Sequence, residues 1–167
     1  LVEFLFSPAK ISQETEKQAQ VIAKTIIEKL KMVGLLAVEF FVLEDGSLIV
    51  NEMAPRTHNS GHHTMECNYT SQFEQHYRSV MNFPLGSTEI IQPGVMINLL
   101  GDKNHTGTPV YEGINEVIKQ QGVYVHLYGK TETKPFRKMG HITVVNPDLD
   151  KAIANAREVA KSVKVVA

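Results

Sequence analysis

Cysteine is almost absent from these 167 residues: Cys67 stands alone. One thiol excludes an intramolecular disulfide framework and suits a reducing compartment. Long apolar runs are missing as well. No stretch approaches the roughly 20 residues that span a bilayer, so no membrane-crossing helix is expected. A secretory leader is not seen at the start, because Leu1–Phe6 is apolar but holds Glu3 and has no basic beginning. Neither sign of charge is in excess. Lys and Arg number 17 against 18 Asp and Glu, a formal net charge of −1. No global field therefore draws the chain to nucleic acid or an anionic membrane. Internal repeats and low-complexity segments are also lacking. The first residue is Leu rather than Met, which sets the expectation of a further segment upstream. What is present is 43% hydrophobic and 21% charged residues. That is the composition of an ordinary soluble globular protein, with length enough for one medium domain or two small lobes, and with the lone cysteine it sets the expectation of a cytoplasmic location.

Periodicity and turn residues divide the chain into elements. Leu1–Phe6 reads as a short strand. Ser12 is a good N-cap, and Ala19, Ile22, Ala23, Ile26, Ile27, Leu30 and Val33 recur at helical spacing up to Gly34. The spacing predicts a helix over 13–33 with Gly34 as its C-cap. Residues 35–43 and 48–52 flank Glu44-Asp45-Gly46-Ser47, a hairpin signal. Residues 55–64 form a polar loop. Ser71 and Glu74 make a capping box for a helix to about Asn82, with Phe73, Tyr77, Val80 and Met81 as its apolar face. A second unit begins near Gln92-Pro93-Gly94. It reads as a strand over 95–100, a helix over 114–120, strands over 123–128 and 141–145, and a last helix from Pro147-Asp148 through Val163. The predicted domains are 1–92 and 93–167.

The hairpin carries the most informative feature. With Asp45-Gly46 as a two-residue tip, Leu43 meets Leu48, Phe41 meets Val50, and Glu39 meets Glu52. Directly opposed residues on one face have Cβ atoms about 4.5–5.5 Å apart. Two carboxylates at that distance repel, so such a pair either shares a proton or holds a cation. Opposed oxygens suit Mg²⁺ or Mn²⁺ when phosphates supply further ligands. A register slip of one residue would instead turn the two acids to opposite faces.

Arg56, His58, Asn59, Ser60 and His62 follow directly. Arg offers a planar fork to carboxylate or phosphate. Asn, Ser and backbone N–H groups can hold an oxyanion, and Gly61 lets the backbone approach a ligand. The same run could be an ordinary polar connection. A zinc site on His58, His62, His63 and Cys67 is the poorer alternative, since Asn-Ser-Gly interrupts any regular metal helix. A basic loop over 129–140 holds Lys130, Lys134, Arg137 and Lys138. It is either a solvated charged surface or a phosphate cradle.

Several segments together resemble one family. Leu36-Ala37-Val38-Glu39-Phe40-Phe41-Val42, Asn51-Glu52-Met53-Ala54-Pro55-Arg56 and His58-Asn59-Ser60-Gly61-His62 are similar to the ATP-dependent 5-(carboxyamino)imidazole ribonucleotide synthases, PurK, of the ATP-grasp superfamily. Thr70–His76, Val95–Gly101 and Lys138–Thr143 agree with it. Thr57 stands where the family often has Pro. Ala54 replaces the Asn of many other ATP-grasp enzymes. The resemblance implies activation of bicarbonate by ATP to carboxyphosphate, then transfer of the carboxyl group to the amine of aminoimidazole ribonucleotide. It implies that Glu39 and Glu52 carry Mg²⁺ (or Mn²⁺) bound to ATP, with Asn51 near the nucleotide. Arg56, His58, Asn59 and Ser60 would face bicarbonate, carboxyphosphate or the imidazole. Lys130, Arg137 and Lys138 would hold the ribonucleotide's phosphate.

The fold class expected is α+β: the C-terminal lobe of an ATP-grasp fold, then a small sheet-and-helix domain. The family's N-terminal domain and most of its adenine- and phosphate-clamping lobe would lie before residue 1. The 167-residue chain alone is therefore expected not to turn over ATP, and the full-length form to be a homodimer. Two rivals stand beside this reading. One is another ATP-grasp ligase of purine synthesis; the other is a binding or interface module that has lost catalysis.

Overall fold

The computed structural model of the chain describes residues 4–167. It falls into two compact units, one of Ala9–Glu89 and one that joins the N-terminal strand, through Pro8, to Ile90–Ala167. The strand expected at Leu1–Phe6 is β1, Phe4–Ser7; its first three residues lie outside the described ones. β1 belongs to the sheet of the second unit and not to the expected 1–92 domain. Its four residues pair with β4, and backbone pairing over that length outweighs proximity in sequence.

The first unit is a hairpin with helices. α1 spans Gln13–Lys29, capped by the Ser12 side chain, which accepts from the Thr15 N–H at 3.1 Å. It ends four residues short of the expected 33, because Lys31 turns to a positive φ of 49°. Gly34 does not cap it. Its N–H donates to Ser79 Oγ at 3.0 Å, and that of Leu35 donates to His76 Nδ1 at 3.1 Å. β2 (Ala37–Val42) and β3 (Leu48–Ala54) form an antiparallel pair. A short helix α2 (Thr64–Cys67) and α3 (Gln72–Val80) follow. Ser71 caps α3 as expected, its Oγ accepting from the Glu74 N–H at 3.2 Å. The return half of the capping box is not made, because the Glu74 carboxylate binds Arg78 at 2.6 Å instead. The expected apolar face of α3 is open: Phe73, Tyr77, Val80 and Met81 are all exposed.

The second unit carries the core. Its sheet has the order β1-β4-β7-β6, with β4 at Gly94–Leu100, β6 at Val123–Leu127 and β7 at Lys138–Val145. All its pairings are antiparallel. Val95, Ile97 and Leu99 alternate onto one face and pack with Ile142, Val144 and the small residues Ala152 and Ala156 of α5 (Leu149–Ser162). Burying a Val or Ile side chain contributes about 1.5–3 kcal/mol. Asp148 caps α5 by accepting from the N–H groups of Asp150 and Lys151. α4 is one turn, Ile114–Val117. Val163, expected inside the last helix, is where it stops. The chain then extends as β8 (Lys164–Val166) and pairs with β5 (Val110–Glu112). No helix among the described residues is long and apolar enough to cross a membrane.

Candidate active site

The β2–β3 hairpin closes one residue differently from the simplest reading. Leu43 N–H donates to Ser47 O and Gly46 N–H to Leu43 O, both at 2.9 Å. The loop is therefore three residues long, with Gly46 in the left-handed region at φ 83°, a conformation glycine adopts without steric cost. Val42 pairs with Leu48, Phe41 with Ile49, and Phe40 with Val50. Asn51 is then an extra residue in the ladder, a bulge, and beyond it Glu39 pairs directly with Glu52. The two acids thus share one face of the hairpin.

His58 stands against both. Its Nδ1 is 3.4 Å from Glu39 Oε1 and its Nε2 is 3.5 Å from Glu52 Oε1. Glu39 is one-third exposed and Glu52 more than half, whereas the imidazole is largely covered. Ser60 Oγ lies 2.8 Å from His58 Nδ1. Two carboxylates that share a face and converge on one ring fit a divalent cation whose other ligands are phosphate oxygens. Among the described residues no group of three or more His, Cys, Asp or Glu gathers as an all-protein metal site. Burial, reinforced by Glu66, pushes the Cys67 thiol up to about 12.

The loop expected at 55–64 is ordered by short elements. Residues Asn59–Gly61 form a single 3₁₀ turn, in which Asn59 O accepts from the His62 N–H. His63 Nδ1 lies 2.9 Å from Ser60 O, and burial holds its pKa below the ordinary histidine range. Arg56 is exposed and donates from Nη1 to its neighbour Thr57 O at 2.9 Å. The residue that organises the loop, and that sequence reasoning missed, is Gln72. It is buried at the first turn of α3. Its Oε1 accepts from the His58 N–H at 2.9 Å, and its Nε2 donates to His58 O at 2.8 Å. The same Nε2 is 2.9 Å from His62 Nδ1. Nothing in the order of residues separates this glutamine from any other polar residue after a cap.

The basic residues gather in the second unit. Lys130 Nζ donates to Lys138 O at 2.5 Å and stands 5.6 Å from the centre of the Tyr128 ring. Burial, with Arg137 and Lys138 nearby, lowers the Lys130 pKa. Arg137 donates from Nη1 to Glu132 O at 3.0 Å. Lys138 is the first residue of β7 rather than part of the loop.

Comparison with known proteins separates class from family. A family model described as the ATP-grasp domain matches residues 2–73, and one described as the phosphoribosylaminoimidazole carboxylase C-terminal domain matches residues 94–155. The first of these sets the class, ATP-grasp. The N5-carboxyaminoimidazole ribonucleotide synthase of Bacillus subtilis is 46% identical over 146 residues, which is 87% of this chain and 37% of that protein. The crystal structure of N5-carboxyaminoimidazole ribonucleotide synthetase from Thermotoga maritima superposes with a TM-score of 0.94 at 47% identity, covering 98% of this chain and 46% of that one. The Aspergillus clavatus enzyme in complex with ADP and 5-aminoimidazole ribonucleotide gives a TM-score of 0.86 at 32% identity, over 96% of this chain and 43% of that one. The chain thus spans under half the length of these relatives, and it belongs to the N5-carboxyaminoimidazole ribonucleotide synthase family.

Proposed function

We propose that the protein bearing this chain is an ATP-grasp ligase that carboxylates the exocyclic amine of 5-aminoimidazole ribonucleotide, using ATP and bicarbonate, in purine synthesis. The observation that carries the reading is the opposed pair Glu39 and Glu52, converging on His58 in a chain 46% identical to a named synthase. A bicarbonate oxygen attacks the γ-phosphorus of ATP, ADP leaves, and carboxyphosphate forms. The amine then attacks the carboxyl carbon, phosphate departs, and the nitrogen loses a proton. Mg²⁺ would supply charge neutralisation at the phosphates. Glu39 and Glu52 hold it, and Asn51, set in the bulge, borders the nucleotide. Arg56, Asn59 and Ser60 offer donors to bicarbonate and carboxyphosphate, with His58 between them and the acids. Lys130, Arg137 and Lys138 take the ribonucleotide's phosphate. The unit of Ala9–Glu89 serves as part of the ATP-grasp lobe, and the unit of the N-terminal strand with Ile90–Ala167 contains the family-specific C-terminal domain. The full-length form works as a cytoplasmic homodimer, and the 167-residue chain by itself does not turn over ATP.

The test is ADP release by the protein expressed from its intact reading frame. Release should require both bicarbonate and aminoimidazole ribonucleotide. ATP consumption indifferent to the ribonucleotide would overturn the assignment.

A further inference from the structure

Both side-chain N–H donors of Gln72 are committed, and the way they are committed decides the state of a histidine. The His58 N–H can only donate and the His58 carbonyl can only accept. The amide of Gln72 is therefore oriented without ambiguity: Oε1 faces the N–H at 2.9 Å and Nε2 faces the carbonyl at 2.8 Å. An amide nitrogen has two hydrogens and no acceptor capacity. One hydrogen goes to His58 O, and the other is directed at His62 Nδ1, 2.9 Å away. His62 Nδ1 must consequently be the unprotonated, accepting nitrogen.

Gln72 has no freedom to reverse this arrangement. It is 6% exposed. Its own N–H donates to Thr64 Oγ1 at 2.9 Å, and that hydroxyl donates to Gly61 O at 2.6 Å. A Cβ on Gly61 would come within 2.5 Å of Gln72 Oε1, so the loop leaves room for this one side chain. The His62 ring is further held by stacking on Phe73, with centroids 5.5 Å apart and planes 21° apart.

We infer that Gln72 is a positioning residue that locks His62 as the neutral tautomer protonated at Nε2, so that His62 takes part in the reaction as a hydrogen-bond donor and never as the proton acceptor. The tautomer follows from the contacts alone. Its use on an oxyanion of bicarbonate or carboxyphosphate rests on the function proposed above. The two histidines of His-Asn-Ser-Gly-His thereby differ in kind: His58 meets carboxylates at both nitrogens, and His62 is a fixed neutral donor.

Nitrogen NMR of isotope-labelled histidine in the protein from its intact reading frame tests the tautomer, with the His62 signals assigned by their loss in His62→Gln. At neutral pH they should show a pyridine-type Nδ1 and a pyrrole-type Nε2. In Gln72→Glu, where a carboxylate can only accept, His62 should gain a proton at Nδ1. A protonated Nδ1 in the unaltered protein overturns the inference, and so does an unchanged His62 spectrum in Gln72→Glu. Kinetics test the use of the donor. His62→Gln retains a neutral N–H donor and should keep kcat within about tenfold, whereas His62→Leu should lose on the order of a hundredfold. Equal loss in both variants, or none in His62→Leu, overturns the donor role. If the unaltered protein consumes no ATP in response to the ribonucleotide, the proposed function fails, while the NMR result still decides the tautomer.

Discussion

Glu39 and Glu52 stand directly opposite each other in the β2–β3 ladder, and each has a carboxylate oxygen within 3.5 Å of the His58 ring. Removing both negative charges should abolish cation-dependent nucleotide binding while leaving the hairpin paired, since Gln keeps the side-chain shape. A ligand at about a hundred times its Kd protects a fold by about 2.7 kcal/mol. In the intact protein, Mg²⁺ with ATP should stabilise the fold by a free energy of that order, which appears as a rise in the thermal midpoint. The double variant Glu39→Gln, Glu52→Gln should show none of this rise. Equal protection of both proteins, read by calorimetry, would remove the acids from the nucleotide site.

The opposition of these acids was legible in the sequence, but by a route that the structure corrects. A two-residue Asp45-Gly46 tip brings Glu39 to Glu52 by simple counting. The actual three-residue loop displaces the register by one, and the bulge at Asn51 displaces it back. Asp-Gly serves either turn, because both need a residue at positive φ, and a bulge leaves no local signature in composition. The basic loop, the Ser12 and Ser71 caps, the start of the last helix at Pro147-Asp148 and the central strands were equally readable, since caps and alternation are local. Illegible features depend on distant partners. β8 is three residues long and exists because β5 pairs with it. Gln72 is identified only by what surrounds it.

Gly61 should tolerate no side chain. A Cβ there would come within 2.5 Å of Gln72 Oε1 and 2.8 Å of its Cδ, and the glutamine cannot swing away without releasing both backbone groups of His58. Gly61→Ala should cost about 1–3 kcal/mol, the range for overpacking. It should also lower kcat, because the loop that carries His58 and Ser60 shifts. Urea unfolding measures the first effect. Full stability together with full activity would show that the glutamine is not held as described.

Phe136 is expected to be a destabilising residue in its position. It is 62% exposed, so it gains little from burial, yet its φ is +61°. The left-handed region costs a residue with a Cβ about 1–2 kcal/mol, and glycine avoids that strain. The conformation is imposed by its neighbours: Phe136 N–H donates to Gly101 O, and Gly101 N–H to Arg137 O, both at 2.9 Å. Phe136→Gly should therefore stabilise the protein by roughly 1 kcal/mol, less the added freedom of the unfolded chain. A lower urea midpoint in the variant would mean that the phenyl ring makes contacts that outweigh the strain.

Cys67 should be silent toward thiol reagents in the native state. It is fully buried, and its pKa is raised from 9.0 to about 12, so almost no thiolate exists near neutrality. The linkage has a definite sign. The folded state binds the proton more tightly than the unfolded chain, so this stabilisation is fully present below about pH 9 and is lost as pH rises toward about 12. Cys67→Ala should therefore flatten the alkaline fall in stability over that window. Labelling at pH 8 should follow global unfolding in its denaturant dependence. Rapid labelling without denaturant would contradict the burial.

Lys130, Arg137 and Lys138 give the last prediction, because three cations share a small region and the Lys130 ammonium is disfavoured there by burial and by the other two. A bound phosphate would reverse that penalty by placing opposite charge among them. Charge-assisted hydrogen bonds contribute about 1.5–3 kcal/mol each. Lys130→Met should thus raise KM for aminoimidazole ribonucleotide by roughly 10- to 100-fold, with KM for ATP unchanged. Arg137→Lys should also raise it, since an ammonium cannot reproduce the planar fork of a guanidinium. Added salt should weaken ribonucleotide binding in the unaltered protein more than in Lys130→Met, as screening has one less charge to act on. Steady-state kinetics over a salt series reads both effects together. Equal salt dependence in the two proteins, with no change in KM, would make this cluster an ordinary solvated surface and move the phosphate elsewhere.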